Sequence, residues 1–367
     1  MYFELNPKEK KDDFFNYEKQ YEMLCEAIEK KDKIVVIKGV RRIGKTSLMK
    51  VVFNKIKEPK YYLDARFVEG REKELFRVLY AIFFDLIKQT SNKWKVIEKI
   101  KDISISGIGV SISSFLPEMT KIIKIFNEEI GSKQAYIFID EAQKLKQYGF
   151  GNILAYIYDN TQNVTVVLSG SEVGVMDELL GEKEDSPLYG RGKIVIEMQR
   201  LERDKSIGFM RKGFEQLGKR VSEETINNVV DRLDGIIGWL TLYGYYYGRY
   251  GEKAMDYVIS DAKKIVTKEI EEFLRNRKDS EKRYLLILKA LSSKDSSWSQ
   301  LKTYLELNLG VKISKSRLYN YINSLMSYGF IARKGEVYSL CDPLIRNAVE
   351  GIRFLPGTGS GPEPTTY

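Results

Sequence analysis

"KIVVIKGVRRIGKTSLMK", residues 33–50, decides how the rest of the chain is read. Residues 33–38 are a short β-branched run that stops at glycine, the pattern of a buried strand. Helix periodicity starts at Gly44 and runs to about Lys57, where Pro59 closes the segment. Between strand and helix lies GVRRIGKT, residues 39–46, which fits G-x-x-x-x-G-K-[ST] at every defined position. Gly39 and Gly44 let the backbone turn tightly, so that the N–H groups from Val40 through Arg41, Arg42 and Ile43 can face phosphate oxygens. The helix N-terminus that follows adds its partial positive charge. Lys45 then reaches the β- and γ-phosphates, Thr46 offers a hydroxyl to Mg²⁺, and Ser47 reaches the α-phosphate. Arg42 has two readings, toward phosphate or out toward solvent or a partner.

A phosphate cradle needs a carboxylate at the end of another buried strand. AYIFIDE, residues 135–141, supplies two. Asp140 is expected to hold magnesium through water and Glu141 to act as general base on the attacking water. LSGS, residues 168–171, brings Ser169 and Ser171 to the polar end of a further strand. They either sense the γ-phosphate and water or cap the helix that follows.

The remaining pattern sets the fold class. Strands at 61–67, 164–171 and 192–198 alternate with helices at 71–89 and 117–130, which implies an α/β domain with a parallel, doubly wound sheet. A further helix is expected near 93–101 and a glycine-rich hairpin at 103–115. From Leu201 the strands stop, and helices are expected at 203–217, 222–233 and 237–249, then a long connector at 252–277. Leu240, Tyr243, Tyr247 and Tyr250 form one stripe of the third, read as core or as a base-stacking platform. Residues 281–350 read as three helices and a β-hairpin, and 356–367 as a disordered Pro/Gly/Thr-rich tail.

Composition narrows the chemistry. The 367 residues exceed one ordinary core, and 43% apolar with 30% charged residues is globular rather than disordered. A net charge of +9 permits nucleic acid or an acidic surface as partner without requiring either. The chain has no histidine, which excludes His-ligated zinc and His-based triads. Cys25 and Cys341, far apart, argue for a reducing interior. MYFELNPKEK has no apolar signal core and the longest apolar stretch, 236–248, is too short for a bilayer, so the expected location is cytoplasmic.

The cradle, the acid pair and the polar strand end together look like the additional-strand P-loop ATPases. IDEAQKL, SPLYGRGKIVIEM and DPLIRNA narrow the resemblance to the archaeal ATPase family, related to the AAA+ and STAND ATPases, over about residues 12–350. The resemblance implies ATP/ADP with Mg²⁺ as cofactors, a helical lid after the sheet and a C-terminal winged helix. The implied division is a core at 1–200, lid and connector at 201–277, winged helix at 278–355 and a tail at 356–367. The family's lead-in of type FFxRExE corresponds to FFNYEKQ, residues 14–20, making Phe15 and Tyr17 candidates for base contact. Its lid turn of type GGxPxxL corresponds to DGIIGWL, residues 234–240, with Ile237 in the proline's place and able to pack on adenine. Arg191 is implied as an arginine finger, in cis or from a neighbouring subunit in an oligomer, or else as a structural partner of an acid such as Asp185.

In a winged helix the third helix enters the major groove. Here it would offer Lys315, Arg317 and Asn320, with Arg333 and Lys334 on the wing, while Glu306 and Glu336 dilute the charge. Such modules also serve protein contacts. Two functions follow: a nucleotide-driven switch or motor acting on DNA, or a STAND-like regulatory ATPase that binds nucleotide tightly and signals to a protein partner.

Overall fold

The computed structural model describes residues 1–68, 72–90, 116–181 and 186–352. The hairpin expected at 103–115, the helix near 93–101, Asp185 and the tail from 356 lie outside the described residues. The chain forms two compact units, Met1–Gly248 with Ser327–Gly329, and Arg249–Met326 with the residues from Phe330 onward.

In chain order the first unit contains α1 (Glu18–Glu29), β1 (Ile34–Lys38), α2 (Lys45–Lys55), β2 (Lys60–Asp64), α3 (Glu72–Thr90), α4 (Leu116–Ile130), β3 (Ala135–Asp140), α5 (Phe150–Asn160), β4 (Val164–Gly170), α6 (Val173–Leu179) and β5 (Ile194–Glu197). The strands pair in the order β2-β3-β4-β1-β5, all parallel. β3 and β4 therefore stand between β1 and β2, the additional-strand order that the resemblance implies. β1, β3 and β4 are buried at every position, which is why they read as continuous apolar runs without alternation.

Strand alternation divides the core into two layers. On one face Ile137 and Ile139 join a cluster with Phe83 of α3 and Phe126 of α4, whose rings meet edge to face at 5.2 Å. Both phenylalanines are fully buried, each contributing about 1.5–3 kcal/mol of transfer free energy. On the other face Phe138 meets Phe53 of α2 at 5.3 Å, and Phe53 also meets Tyr62 of β2 at 5.5 Å.

Three helices complete this unit: α7 (Arg203–Gln216), α8 (Glu223–Leu233) and α9 (Ile237–Tyr250). Ser222 caps α8, its hydroxyl accepting from Thr225 N at 3.1 Å. Phe3 is wedged between α7 and α9, so close that a β-carbon at Gly213 or Gly244 would run into its ring. Tyr243 and Tyr247 pack on Phe214 at 6.5 and 5.0 Å, which makes that part of the tyrosine stripe core.

The second unit holds α10 (Ala254–Leu274), α11 (Glu281–Ser293), β6 (Ser296–Ser297), α12 (Trp298–Leu309), α13 (Lys315–Ser327), β7 (Ile331–Lys334), β8 (Val337–Leu340) and α14 (Ile345–Gly351). Its antiparallel sheet has the order β6-β8-β7, and Lys334 pairs with Val337, so the wing turns at Gly335–Glu336. α12 begins with a capping box between Ser297 and Gln300. Glu306 is spent inside the fold: it accepts from Ile313 N at 2.9 Å and pairs with Lys302 at 3.5 Å. Helix, helix, helix and hairpin make this module a winged helix.

Candidate nucleotide-binding site

β1 ends at Lys38 and the cradle follows as a loop that only certain residues can form. Gly39 has φ 153°, and a β-carbon there would run into the Met198 carbonyl and the Ile43 side chain. Arg42 and Gly44 have φ 65° and 93°, left-handed values that cost little for glycine and more for arginine. α2 then starts at Lys45, leaving its first N–H groups without helical partners at the loop.

Lys45 is buried, and its Nζ donates to Gly39 O at 2.9 Å and Val40 O at 2.7 Å. Burial pulls its pKa down to about 8, against the opposing charges of Glu141 and Asp140, with Arg41 and Arg42 pulling the same way as burial. The phosphates of a nucleotide would favour the ammonium form.

Asp140, 1% exposed, is the hub of the site. Its Oδ2 accepts from Thr46 Oγ1 at 2.7 Å and from Tyr62 OH at 3.2 Å. Its Oδ1 accepts from Ser169 Oγ. Burial, and then the charge of Asp140, push the Tyr62 phenol pKa up. One hydroxyl beside one carboxylate, both hard oxygen donors, fits Mg²⁺, which takes one or two protein oxygens and completes its shell with phosphate and water. Among the described residues no cluster of three or more acidic or thiol side chains could cage a metal without such a substrate.

Glu141 sits just beyond β3 with φ 53°. Its Oε2 accepts from Ser171 Oγ at 3.0 Å and from Gln143 Nε2 at 2.5 Å. Ser169 and Ser171 thus each hold one of the two acids. The capping alternative fails, because the residue at the start of α6 is Glu172, with no side-chain cap.

The two loop arginines diverge. Arg41 pairs with Glu172 at 3.2 Å. Arg42 turns to α9: its guanidinium lies 4.3 Å from the Trp239 ring and its carbonyl accepts from Gly238 N at 2.8 Å. A β-carbon at Gly238 would lie 2.8 Å from Arg42 Cβ and 3.0 Å from Arg42 O, so that contact needs glycine. Gly238→Ala is therefore expected to weaken ATP affinity about tenfold, since overpacking costs roughly 1–3 kcal/mol. Titration with a fluorescent ATP analogue, beside thermal unfolding, checks this.

A β-carbon at Gly44 would meet Met198 at 3.8 Å and Ile237 and Phe14 at 3.9 Å, so Ile237 does stand at the cradle. Phe15 does not accompany it. Its ring packs on Tyr2 and Phe209 at 5.5 and 5.4 Å, and Phe14 is the aromatic beside Gly44. Tyr17 is buried, its hydroxyl donating to Gln199 O at 2.8 Å, and burial pushes its pKa up. Asn16 and Tyr17 both have positive φ, 59° and 62°, and this kink decides which aromatic faces the loop. Met198 arrives because β5 continues beside β1, Met198 N donating to Lys38 O at 2.8 Å. Ser47 Oγ accepts from Lys8 N at 3.0 Å, tying the N-terminal segment to the cradle.

Arg191 requires a correction. It forks onto Asp159 through Nε at 3.1 Å and Nη2 at 2.6 Å, and also donates to Pro187 O. Val35 pairs with Ile194, so Arg191 precedes the N-terminal ends of the strands, while the cradle lies beyond their C-terminal ends. Arg191 therefore lies away from the cradle of its own chain, and among the described residues its acid partner is Asp159.

On the second unit, Lys315, Arg317, Asn320 and Lys334 are exposed. They lie on α13 and at the end of β7.

Residues 277–341 match the MCM protein C-terminal winged helix-turn-helix domain. Among solved structures, a Walker-type ATPase of Pyrococcus abyssi is similar with 28% identity and a TM-score of 0.76, covering 95% of this chain and 100% of its own. The Aeropyrum pernix ORC2 protein, in ADPNP and ADP complexes, is similar with 13% identity and a TM-score of 0.45, covering 95% and 97%. The ORC1 protein of the same organism, in complex with DNA, has 17% identity and a TM-score of 0.45, covering 92% of each chain. No curated protein matches. Residues 14–242, more than half of the chain, match the model of an ATPase domain predominantly from Archaea, and the chain belongs to that family.

Proposed function

We propose that this protein hydrolyses ATP with Mg²⁺ and uses the cycle as a conformational switch or motor. The observation that carries the reading is the Thr46–Asp140 hydrogen bond at 2.7 Å, with Glu141 the next residue and Lys45 buried in the same loop. Lys45 binds the β- and γ-phosphates, and the loop N–H groups hold the polyphosphate in register. Thr46 and Asp140 would hold Mg²⁺, which when bound would supply positive charge to the transferred phosphoryl group. Glu141 takes a proton from water as its oxygen bonds to the γ-phosphorus. The bond to the bridging oxygen breaks, and ADP leaves with the electron pair. The contact of Arg42 with Gly238 and Trp239 supports coupling of the cradle to the lid.

The winged helix is proposed to act on duplex DNA. α13 carries no acid, and its exposed face includes Lys315, Arg317, Tyr319 and Asn320. Replacing Lys315 and Arg317 together by alanine is expected to lower the salt slope of DNA binding by about two, one per phosphate contact. A second reading, contact with a protein partner, is favoured by the exposed Leu307, Val311 and Tyr319 at 78%, 55% and 60%. Phosphate release with and without duplex DNA separates them: several-fold stimulation supports the DNA reading, and turnover indifferent to DNA contradicts it. Among the described residues no helix is long and apolar enough to cross a membrane.

A further inference from the structure

We propose that Gln143, with Ser171, is a positioning residue that clasps one oxygen of Glu141 so that the other is presented to the attacking water. This rests on Glu141 acting as the base. Gln143 Nε2 and Ser171 Oγ both donate to Oε2, at 2.5 and 3.0 Å, and Gln143 Nε2 also reaches Ser171 Oγ at 3.3 Å. Among the described residues no hydrogen bond falls on Oε1. The carboxylate is thus pinned by one oxygen and fixed in rotation, while the other oxygen keeps its lone pairs for a proton.

The surroundings of Gln143 indicate what its amide is for. The side chain is 4% exposed, and its Oε1 has no hydrogen-bond partner. Leaving a buried acceptor unmade costs about 1–3 kcal/mol, which an apolar side chain of similar size would avoid. Turning the amide over would set Oε1 against the Glu141 carboxylate oxygen and give up the donor to it. The amide is also fitted to its place, because a β-carbon at Gly170 would lie 2.8 Å from Gln143 Oε1. The donor to Glu141 offsets the orphaned acceptor. Glu141 itself has left-handed backbone at φ 53°, a conformation that persists only where neighbours hold it.

The hydrolysis step keeps its balance in this arrangement. Water oxygen bonds to the γ-phosphorus, its proton passes to Glu141 Oε1, and the bond to the ADP oxygen breaks. Gln143 and Ser171 exchange no proton and touch no substrate atom. Their effect is on where Oε1 lies, and a displacement near 1 Å at such an atom costs on the order of 100-fold in rate.

The test is single-turnover ATP hydrolysis and ATP-analogue affinity for Gln143→Met, Ser171→Ala and Ser171→Thr, with thermal unfolding alongside and Glu141→Gln as reference. Gln143→Met and Ser171→Ala should each lower the rate about ten- to hundredfold with affinity within twofold of the original and no loss of thermal stability. Ser171→Thr, which keeps the hydroxyl, should recover most of it. Ser171→Ala, a small change, tests the clasp even if Gln143→Met does not fold. Unchanged rates in the methionine and alanine variants beside an inactive Glu141→Gln would overturn the clasp alone. A Glu141→Gln protein that still turns over would remove the base reading, and the clasp with it.

Discussion

Lys45→Ala is expected to weaken ATP binding by about ten- to a hundredfold without lowering the unfolding temperature. The lost contact is a charge-assisted bond to phosphate, worth roughly 1.5–3 kcal/mol. Stability behaves differently. Burial pulls the Lys45 pKa down to about 8 from an ordinary value of 10.5. At neutral pH the folded chain therefore holds this proton at a cost, and an alanine removes the cost together with the two carbonyl contacts. A group retained at some expense to the fold is what a binding site requires. Isothermal titration with ATP and a thermal scan of the same samples measure both effects. A variant that binds ATP as the original does would contradict the assignment of Lys45.

Glu141→Gln is expected to lower kcat by about 100- to 10,000-fold while ATP binds within a few-fold of the original affinity. The amide keeps the shape of the carboxylate but cannot take a proton from water. Its neighbours, Ser171 Oγ and Gln143 Nε2, still find an acceptor if the amide oxygen turns toward them. The split between kcat and affinity is the informative quantity, because a variant disturbed in folding or in the cradle would lose both. Rapid-quench hydrolysis and equilibrium binding give the two numbers.

What could be read before the structure divides along a physical line. The cradle at 39–46 and the acids at 140–141 are local: the glycines, the lysine and the strand-end carboxylates act through backbone geometry set within a few residues. Thr46 and Asp140 meet at 2.7 Å because β1 and β3 flank β4 in one sheet; alternating strands and helices imply that the sheet is parallel, and the order of its strands is what the family resemblance adds. Contacts set by register between distant segments were harder to read. Arg191 meets Asp159 through the placement of β5 beside β1, and nothing in SPLYGRGK marks that partner. Phe14 and Phe15 are adjacent and identical in type, and a left-handed kink at residues 16 and 17 decides which one faces Gly44. Met198 enters by the same β1–β5 pairing. Gln143 stands in plain view in IDEAQKL, yet its role depends on Ser171, brought in from β4.

The winged helix shows the same division. Its helices and hairpin follow from apolar periodicity and one turn glycine. The acid that dilutes the basic count, Glu306, turns out to be occupied by Ile313 N and Lys302 rather than displayed on the reading face.

ATP hydrolysis by this chain is tested most directly by phosphate released from ATP by the unaltered protein, with Mg²⁺ and then with a chelator. Steady turnover is expected with the metal and none once it is withdrawn. Bound ATP that stays intact through many hours with Mg²⁺ present, or release that continues in the chelator, would contradict it.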